Sequence, residues 1–416
     1  MITVPVLSKT EAITHVISVM TEEFSIYYDT IFFETKEDLE KYSLTKIPEL
    51  ILLDLTDPTN DGEAFLSWIK EQKPLEFTSV VAIVQNDGDR MALEMDPNKN
   101  LMLSLTERDF LRNCTRLFKI IKQNIQFLFN RNVLIDLKVQ ESGIFICDND
   151  SFDIIVYTNL LTTYLAETGR IGFDTKFQLQ TALMEMLLNA LEHGNCNINY
   201  DEKTQWLESG RDILDLIEER NKDPAIAAKK IILSYDIDVN ETHFSIKDEG
   251  DGFDWKDMLQ RDIEPNLHGM GIKMTESMVK SLAYNDKGNE VFFSIINEPG
   301  SVNPERIPFK IKWYKDKAII KKASEPSNSI YFLLNGSISV SHYRQVVGHY
   351  VPADILIGYS NPFSSEPFSG TMKTCNDAKI IKISKQDFEN FLKEYPSFKV
   401  FADRLKTRTY SAANPV

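Results

Sequence analysis

Paired cysteines, long apolar runs and excess basic charge are what this sequence lacks. Its four cysteines lie far apart and form no CxxC pair, which indicates reduced thiols and argues against a zinc site. No apolar run reaches the roughly 18 residues that a membrane span needs, and the N-terminus has no signal-peptide pattern. Asp and Glu (62) outnumber Lys and Arg (46), a net charge of −16, which disfavours nucleic acid and anionic membranes as partners. We therefore expect a cytoplasmic protein with neither partner.

The chain divides by pattern into three segments, which predicts a multidomain protein. Residues 1–130 alternate short apolar strands with amphipathic helices, an order that predicts an α/β domain with a parallel sheet. Residues 131–300 have hairpin-like strands with helices inserted, an α+β pattern. After a linker rich in Pro, Gly and Asn, Asn297–Pro308, residues 301–416 have many short strands and predict a mainly-β roll.

One helix of the middle segment carries polar residues at four-residue spacing. In the run ALMEMLLNALEHGN these are Glu185, Asn189 and His193, which positions i, i+4 and i+8 place along one helix face. A polar stripe in an otherwise apolar helix needs partners, because burying it unpaired is unfavourable. Those partners can be structural groups, or they can be a metal ion and a ligand.

Two glycine motifs follow in the same segment. The run DEGDGF ends a predicted strand with Asp248, Gly250 and Gly252, and the pair Gly269 and Gly271 opens a predicted helix, GIKMTESMVKSL. Each motif alone is common in ordinary turns. The polar helix comes first, then a pair of predicted strands, and then the two glycine motifs. Together and in this order, these motifs resemble the ATP-binding domain of the GHKL (Bergerat) superfamily. The resemblance covers about residues 152–296 and is closest to the anti-sigma-factor serine kinases.

The resemblance implies ATP and Mg²⁺ as cofactors and assigns roles to three side chains. Asn189 supplies an amide oxygen to Mg²⁺, a cation that prefers oxygen ligands. Glu185 is the general base that accepts a proton from an attacking hydroxyl or water. Asp248 accepts a hydrogen bond from the adenine amino group.

The glycines have roles in the same resemblance. Gly250 and Gly252 let the backbone approach the base, and Gly269 and Gly271 free N–H groups for phosphate at a helix N-terminus. Two interpretations of His193 stay open: it lines the phosphate pocket, or it bonds a backbone carbonyl. His268 is a further candidate for phosphate contact, and Trp255 is interpreted as a packing anchor.

The function implied by the resemblance is phosphorylation of a serine or threonine on a regulatory partner. In such kinases the partner is an anti-sigma-factor antagonist, and the kinase domain also holds a sigma factor. The alternative is a catalytically silent switch whose affinity for a partner depends on the bound nucleotide. A histidine kinase is disfavoured, because no helix pair ahead of the domain presents a His followed by an acidic residue. Relatives of this type often dimerise, so a homodimer stays open.

The N-terminal segment resembles a response-regulator receiver domain, which is flavodoxin-like. Asp54 ends the run ILLD, and Pro58 and Gly62 follow at the receiver spacing, so Asp54 would be the phosphoacceptor. The acidic pair expected after the first strand is replaced by PVLS, and the expected lysine is missing from LMLS. Little is then left to hold Mg²⁺ or to sense a phosphoryl group. We therefore predict a pseudo-receiver used for protein contacts.

The C-terminal segment resembles the cyclic-nucleotide-binding roll, on the runs IYFLLNGSISV and PADIL. Such a roll needs a Gly-Glu pair for the ribose and an arginine for the cyclic phosphate. Here Tyr359 follows Gly358, and Phe368 stands where the arginine is expected. Because a bidentate arginine is hard to replace, we expect a degenerate roll that serves as an altered pocket or a protein-contact module.

Overall fold

The structure is a computed structural model that describes residues 2–75, 78–96, 98–124, 141–253, 255, 270–299, 310–326, 328–342, 345–350, 356–357 and 370–394. Its contacts divide the chain into two units: Gln140–Val302 forms one, and Met1–Val139 with Asn303–Val416 forms the other. The division into three domains at residues 130 and 300 stays a prediction. Within the described ranges, none of the helices combines the length and the apolar character that a membrane crossing requires.

The N-terminal region alternates strands with helices, as the sequence pattern predicted. Its elements are β1 (Ile2–Leu7), α1 (Glu11–Glu23), β2 (Tyr28–Phe33), α2 (Lys36–Lys46), β3 (Leu50–Asp54), α3 (Gly62–Ile69), β4 (Ser79–Val84), α4 (Asp87–Met95), β5 (Leu101–Thr106) and α5 (Glu107–Gln123). The five strands are parallel, in the order β2-β1-β3-β4-β5. Every residue of β3, β4 and β5 is buried, as expected for a sheet covered on both faces.

The middle unit is an antiparallel sheet with helices on its apolar face. Its elements are β6 (Glu141–Asp148), α6 (Ser151–Glu167), α7 (Phe173–Asn189), α8 (Tyr200–Glu208), α9 (Ile213–Arg220), α10 (Pro224–Ala227), β7 (Lys230–Ile237), β8 (Glu241–Lys247), α11 (Met270–Met278), β9 (Ser281–Tyr284) and β10 (Glu290–Ile296). The strand order is β6-β7-β8-β10-β9. β7 and β8 alternate buried and more exposed residues, so one face of each strand supplies the core.

One boundary in this unit differs from the sequence prediction. The run GIKMTESMVKSL was expected to be helical throughout, but α11 ends at Met278. Ser281–Tyr284 instead pairs with β10 as an edge strand. The pairing supplies backbone hydrogen bonds that the sequence pattern of this short segment does not reveal.

The C-terminal region is mainly β, as predicted. Its elements are β11 (Lys310–Tyr314), β12 (Ile319–Lys321), β13 (Ser329–Asn335), β14 (Ile338–His342), β15 (Gln345–Tyr350), β16 (Leu356–Ile357), β17 (Thr371–Thr374), β18 (Ala378–Ser384) and α12 (Lys385–Glu394). The strands form two four-stranded sheets, β11-β18-β13-β16 and β12-β17-β14-β15. A core that includes Leu333, Ile338 and Met372 draws on both sheets. Gly358, Tyr359 and Phe368 lie outside the described residues.

Candidate functional site

A cavity of about 270 Å³ lies where the end of α7 meets the ends of β8 and β10. Apolar and aromatic side chains form much of its wall: Met186, Ile246, Phe253, Ile272, Tyr284 and Val291. Three polar side chains singled out in the sequence, Asn189, His193 and Asp248, line the same cavity. An apolar pocket with a few converging polar groups is the usual form of a small-molecule site.

A widened helical turn after α7 brings the helix end to the sheet. From Ala190 to Asn195 the chain forms a π-helical turn, in which the Cys196 N–H donates to Leu191 O at 2.9 Å. Turns of this kind are frequent at functional sites. The turn delivers Asn195, which is fully buried, to two strand ends. Its Oδ1 accepts the Glu249 N–H at 2.9 Å, and its Nδ2 donates to Lys230 O at 3.2 Å.

Asp248 is a buried carboxylate at the cavity wall, with 9% of its surface exposed. Its Oδ1 accepts the Gly250 N–H at 2.7 Å, and the Asn289 side chain donates to its backbone carbonyl at 3.0 Å. Burial raises the pKa of the carboxyl, and the Gly250 N–H and the nearby Lys287 ammonium oppose that rise. The fold therefore holds an acceptor in a largely apolar cavity, where its hydrogen bonds to a ligand would be strong.

Glycines allow the helix end, the DEGDGF turn and the β9–β10 hairpin to touch. A Cβ on Gly194 would lie 2.4 Å from Asp248 Cγ, and one on Gly250 would lie 2.4 Å from Gly194 O. Gly252 has a φ of +81°, and its Cβ would lie 1.9 Å from Lys287 O. Gly194 was quoted in the sequence motif without a role, and only the folded chain shows that it makes room for Asp248.

Glu185 lies one helical turn before Asn189 and is half-buried. It is not among the residues that line the cavity. A Cβ on Gly271 would lie 2.3 Å from Glu185 Oε2, so the carboxylate stands against the first turn of α11. The dipole of a helix favours negative charge at that end. Glu185 and Gly271 are thus brought together, whereas Gly269 and His268 lie outside the described residues.

His193 makes the backbone-carbonyl contact that one of the two interpretations expected, and its role at a phosphate stays a prediction. Its Nδ1 lies 2.6 Å from Ile198 O, and because a carbonyl can only accept, Nδ1 is the donor. The ring also lines the cavity and packs on Tyr200, with centroids 4.1 Å apart. Trp255 packs as expected: its Nε1 donates to Asn285 O at 3.0 Å, and its ring lies against Tyr284.

Comparisons with protein families match two parts of the chain. The histidine kinase-like ATPase domain matches residues 157–295, which include α7 and the whole cavity wall. The cyclic nucleotide-binding domain matches residues 311–395. The chain contains both domains. The first is called the ATPase-like domain below.

Comparisons with individual proteins add little to this. The search of curated proteins found no match. Among solved structures, one described as Sp-2Cl-cAMPS bound to PKAR CBD2 is 21% identical and covers 26% of this chain and 70% of its own, with a TM-score of 0.22. A transcriptional regulator from Thermotoga maritima is 21% identical over 24% of this chain and 83% of its own, with a TM-score of 0.23. Likenesses at these scores carry no argument about function.

The residues of the ATPase-like domain fit a nucleotide with its magnesium ion. The apolar wall suits a planar base, and the buried Asp248 carboxylate can accept from an exocyclic amino group. Gly194 and Gly250 form a cradle that any Cβ would fill. The Asn189 amide at the same cavity offers an oxygen, and Mg²⁺ that arrives with phosphates needs only one or two protein ligands.

Replacing Gly194 with alanine should weaken nucleotide binding at least 10-fold. The new Cβ would overlap the Asp248 carboxyl, which is held by the Gly250 N–H and cannot move away freely. Isothermal titration with Mg·ATP measures the effect, and Gly88→Ala in helix α4 of the other unit is the control. Unchanged affinity in a folded Gly194→Ala variant would show that the contact with Asp248 is unimportant for the ligand.

In the N-terminal region, Asp54 is 1% exposed, and its carboxylate is surrounded by donors. The Ser8 and Thr10 hydroxyls donate to Oδ2 at 2.7 and 2.6 Å, and Asn60 Nδ2 lies 3.1 Å from the same oxygen. Oδ1 accepts from the Thr56 N–H and hydroxyl at 2.9 and 2.6 Å. Hydroxyl groups thus approach the carboxylate from the loop after β1, where a receiver would supply acidic residues.

Proposed function

We propose that the ATPase-like domain binds Mg·ATP and transfers its γ-phosphoryl group to a serine or threonine of a regulatory protein partner. The observation that carries this proposal is the junction of Gly194 with Asp248. It joins the buried carboxylate that would read the base to the helix that carries Glu185 and Asn189. The expected partner is of the anti-sigma-factor antagonist type, or a sigma factor, in the cytoplasm.

Each residue would act at a stated part of the ligand. Asp248 would accept a hydrogen bond from the adenine amino group, and the apolar wall would exclude water from the base. Asn189 would hold Mg²⁺ through its amide oxygen, and the metal would neutralise charge on the phosphates. Glu185 would accept the proton of the attacking hydroxyl. Gly250, Gly252, Gly269 and Gly271 would let the backbone approach the base and the phosphates.

One observation favours the alternative, a nucleotide-gated switch without phosphoryl transfer. Glu185 stands against Gly271 and outside the residues lining the cavity. A carboxylate that stayed there would not contact a ligand held inside the cavity. In such a protein, ATP or ADP would change the affinity for a partner by shifting the population of two conformations.

Two measurements on the whole protein test the proposal. Titration with a fluorescent ATP analogue, with and without Mg²⁺, should show metal-dependent binding. Proteins captured from the source cell with and without ATP should then be incubated with γ-labelled ATP, and label should appear on serine or threonine of one of them. Binding without transfer to any captured protein favours the switch, whereas a folded protein that binds no nucleotide excludes both functions.

For the N-terminal region we propose a pseudo-receiver that serves protein contacts. The parallel strand order β2-β1-β3-β4-β5 is the doubly wound order used by receivers. The five donor contacts to Asp54 support a structural role for this carboxylate, because a phosphoryl group on Oδ2 would break three of them and one on Oδ1 would break two. The cyclic nucleotide-binding domain is proposed to act as an altered pocket or a protein-contact module.

Replacing Asp54 with alanine should destabilise the N-terminal sheet by about 3 kcal/mol, because buried donors lose a charged acceptor. Hydrogen exchange of peptides that contain β1 and β3 measures the change in this region alone. Asp57→Ala, which removes only a cap of the short turn at Pro58–Asn60, should have a smaller effect. Incubation with acetyl phosphate and Mg²⁺ should leave the intact mass unchanged. If the mass of the wild type increases by one phosphate and the mass of Asp54→Ala does not, this proposal is wrong.

A further inference from the structure

The segment between the π-helical turn and β7 is a helical insertion that is fixed to the ATPase-like domain. It contains α8, α9 and α10. Near its far end, the side-chain amides of Asn149 and Asn221 meet: Asn149 Nδ2 donates to Asn221 Oδ1 at 2.9 Å, and Asn221 Nδ2 donates to Asn149 O at 2.7 Å. In α8, the Lys203 ammonium pairs with the buried Glu192 carboxylate. The insertion is thus attached at both its beginning and its end.

The start of this insertion forms part of the cavity wall. Four consecutive residues, Asn197–Tyr200, line the cavity. Tyr200 is the first residue of α8, and Asn199 caps the helix by accepting the Glu202 N–H at 2.8 Å. The position of the Tyr200 ring is therefore determined by a capped helix attached to the domain core.

Tyr200 and Ile198 together fix the His193 imidazole. Ile198 O accepts from Nδ1 at 2.6 Å, and the Tyr200 ring packs on the imidazole at 4.1 Å between centroids and 45° between planes. The hydrogen bond sets the in-plane direction of the ring, and the packed phenol restrains its rotation about χ2. The imidazole is therefore held at the cavity wall as one tautomer, with its proton on Nδ1.

The electrostatic surroundings of Tyr200 support a phenol that stays neutral. Burial raises its pKa, and the carboxylates of Glu192 and Glu185 raise it further. Tyr284, whose pKa burial also raises, lies close enough to interact with it. A neutral phenol keeps its proton and presents an uncharged ring to the imidazole throughout the physiological range.

We propose that Tyr200 is a nucleotide-positioning residue, which holds the His193 imidazole in the cavity wall in the orientation that meets the bound nucleotide. Along the chain, His193 lies between Asn189, the magnesium ligand of the proposed function, and Gly194, which touches Asp248. The imidazole shares the cavity wall with the proposed magnesium ligand and with the glycine that contacts Asp248. The inference rests on the proposed function for the identity of the ligand, a purine nucleotide.

A double-mutant cycle on the full chain tests the positioning role. Tyr200→Leu should weaken binding of fluorescent ADP about 5- to 10-fold, whereas Tyr200→Phe, which keeps the ring, should stay within 2-fold. In the His193→Ala background, Tyr200→Leu should have almost no further effect, because the ring it holds is gone. Trp206→Leu is the matched control: Trp206 is an aromatic residue of the same helix and does not line the cavity.

Two results of the double-mutant cycle would overturn this inference. One is equal loss of affinity from Tyr200→Leu with and without His193. The other is wild-type affinity in a folded Tyr200→Leu variant. Thermal unfolding of each variant shows whether it is folded, and Tyr200→Phe keeps the test valid if Tyr200→Leu fails to fold. A loss of affinity of about 5-fold or more in Tyr200→Phe would show that the packed ring is not what matters.

A nucleotide-free measurement separates this inference from the proposed function. The chain has six histidines, so the ¹⁵N imidazole signals of His193 can be assigned by their loss in His193→Ala. Wild type and Tyr200→Phe should show one Nδ1-protonated tautomer, and Tyr200→Leu should show exchange-broadened or averaged signals. Unchanged signals in Tyr200→Leu contradict the positioning role even if ATP binds. Absence of nucleotide binding in wild type, with these signal changes present, contradicts only the proposed function.

Discussion

Glu185→Gln should lower phosphoryl transfer at least 100-fold while the dissociation constant for Mg·ATP changes less than about 3-fold. Glutamine has the size of glutamate but cannot accept the proton of the attacking hydroxyl, and general-base catalysis contributes about 10²–10⁴-fold. The side chain lies outside the residues that line the cavity, so binding should change little. Initial rates of label transfer to the captured partner, with Mg·ATP saturating, measure the loss.

The control for this experiment is Asp174→Asn. Asp174 is an exposed carboxylate in the first turn of the same helix, and its loss should leave both transfer and binding unchanged. Transfer at the wild-type rate in Glu185→Gln would remove Glu185 from the role of base. If wild type and Glu185→Gln both bind nucleotide and neither transfers label, the nucleotide-gated switch is the function that remains.

Asp248→Asn should lower the affinity for ATP by roughly 30-fold, or about 2 kcal/mol, the usual strength of a hydrogen bond to a charged group. The amide has the same shape as the carboxylate and can still accept the Gly250 N–H through its oxygen, so the fold is preserved. Its NH₂ group, however, is a hydrogen-bond donor, as is the amino group of adenine, so the two cannot form a hydrogen bond. Competition between ATP and a fluorescent analogue measures the effect. The control is Asp286→Asn, an exposed carboxylate in the β9–β10 hairpin that does not line the cavity, which should stay within about 2-fold.

The same substitution has a pH-dependent effect on stability. Because burial raises the pKa of Asp248 above its ordinary value of 3.8, the unfolded chain releases this proton first. The ionised carboxylate therefore destabilises the fold as pH rises from the ordinary pKa through the folded pKa. Asp248→Asn should be at least as stable as wild type at pH 7, and its relative stability should fall as pH approaches 4. If the stability of Asp248→Asn relative to wild type is lower at pH 7 than at pH 4, burial is not the dominant influence on the pKa of Asp248.

Sequence periodicity predicted the three classes of architecture because each depends on local pattern. Continuous apolar runs such as ILLD indicated buried parallel strands, and alternation in KIILSYDIDV indicated a half-covered antiparallel strand. β9 was missed because it is a four-residue edge strand, and only its pairing with β10 makes it a strand. Pairing of that kind depends on residues that are not adjacent in sequence.

The sequence by itself determined which residue types are available to a nucleotide site. Glu185 and Asn189 at helical spacing, and the glycines around Asp248, could be read directly from their order and spacing, because a helix face and a tight turn are local properties. Their joint presence was enough to indicate a GHKL-like domain, and the match of the histidine kinase-like ATPase domain to residues 157–295 supports that coarser assignment.

Only the tertiary structure decided how these residues meet. Because the turn after Asn189 is π-helical, His193 does not continue the α-helical spacing of Glu185 and Asn189. Its ring lies between Ile198 O and Tyr200. Gly194 contacts Asp248 because a helix end and a strand end that are distant in sequence approach closely. The space between them leaves no room for a Cβ at residue 194. Contacts of this kind depend on packing between elements that are distant in sequence, so the spacing of residues in a single sequence does not predict them.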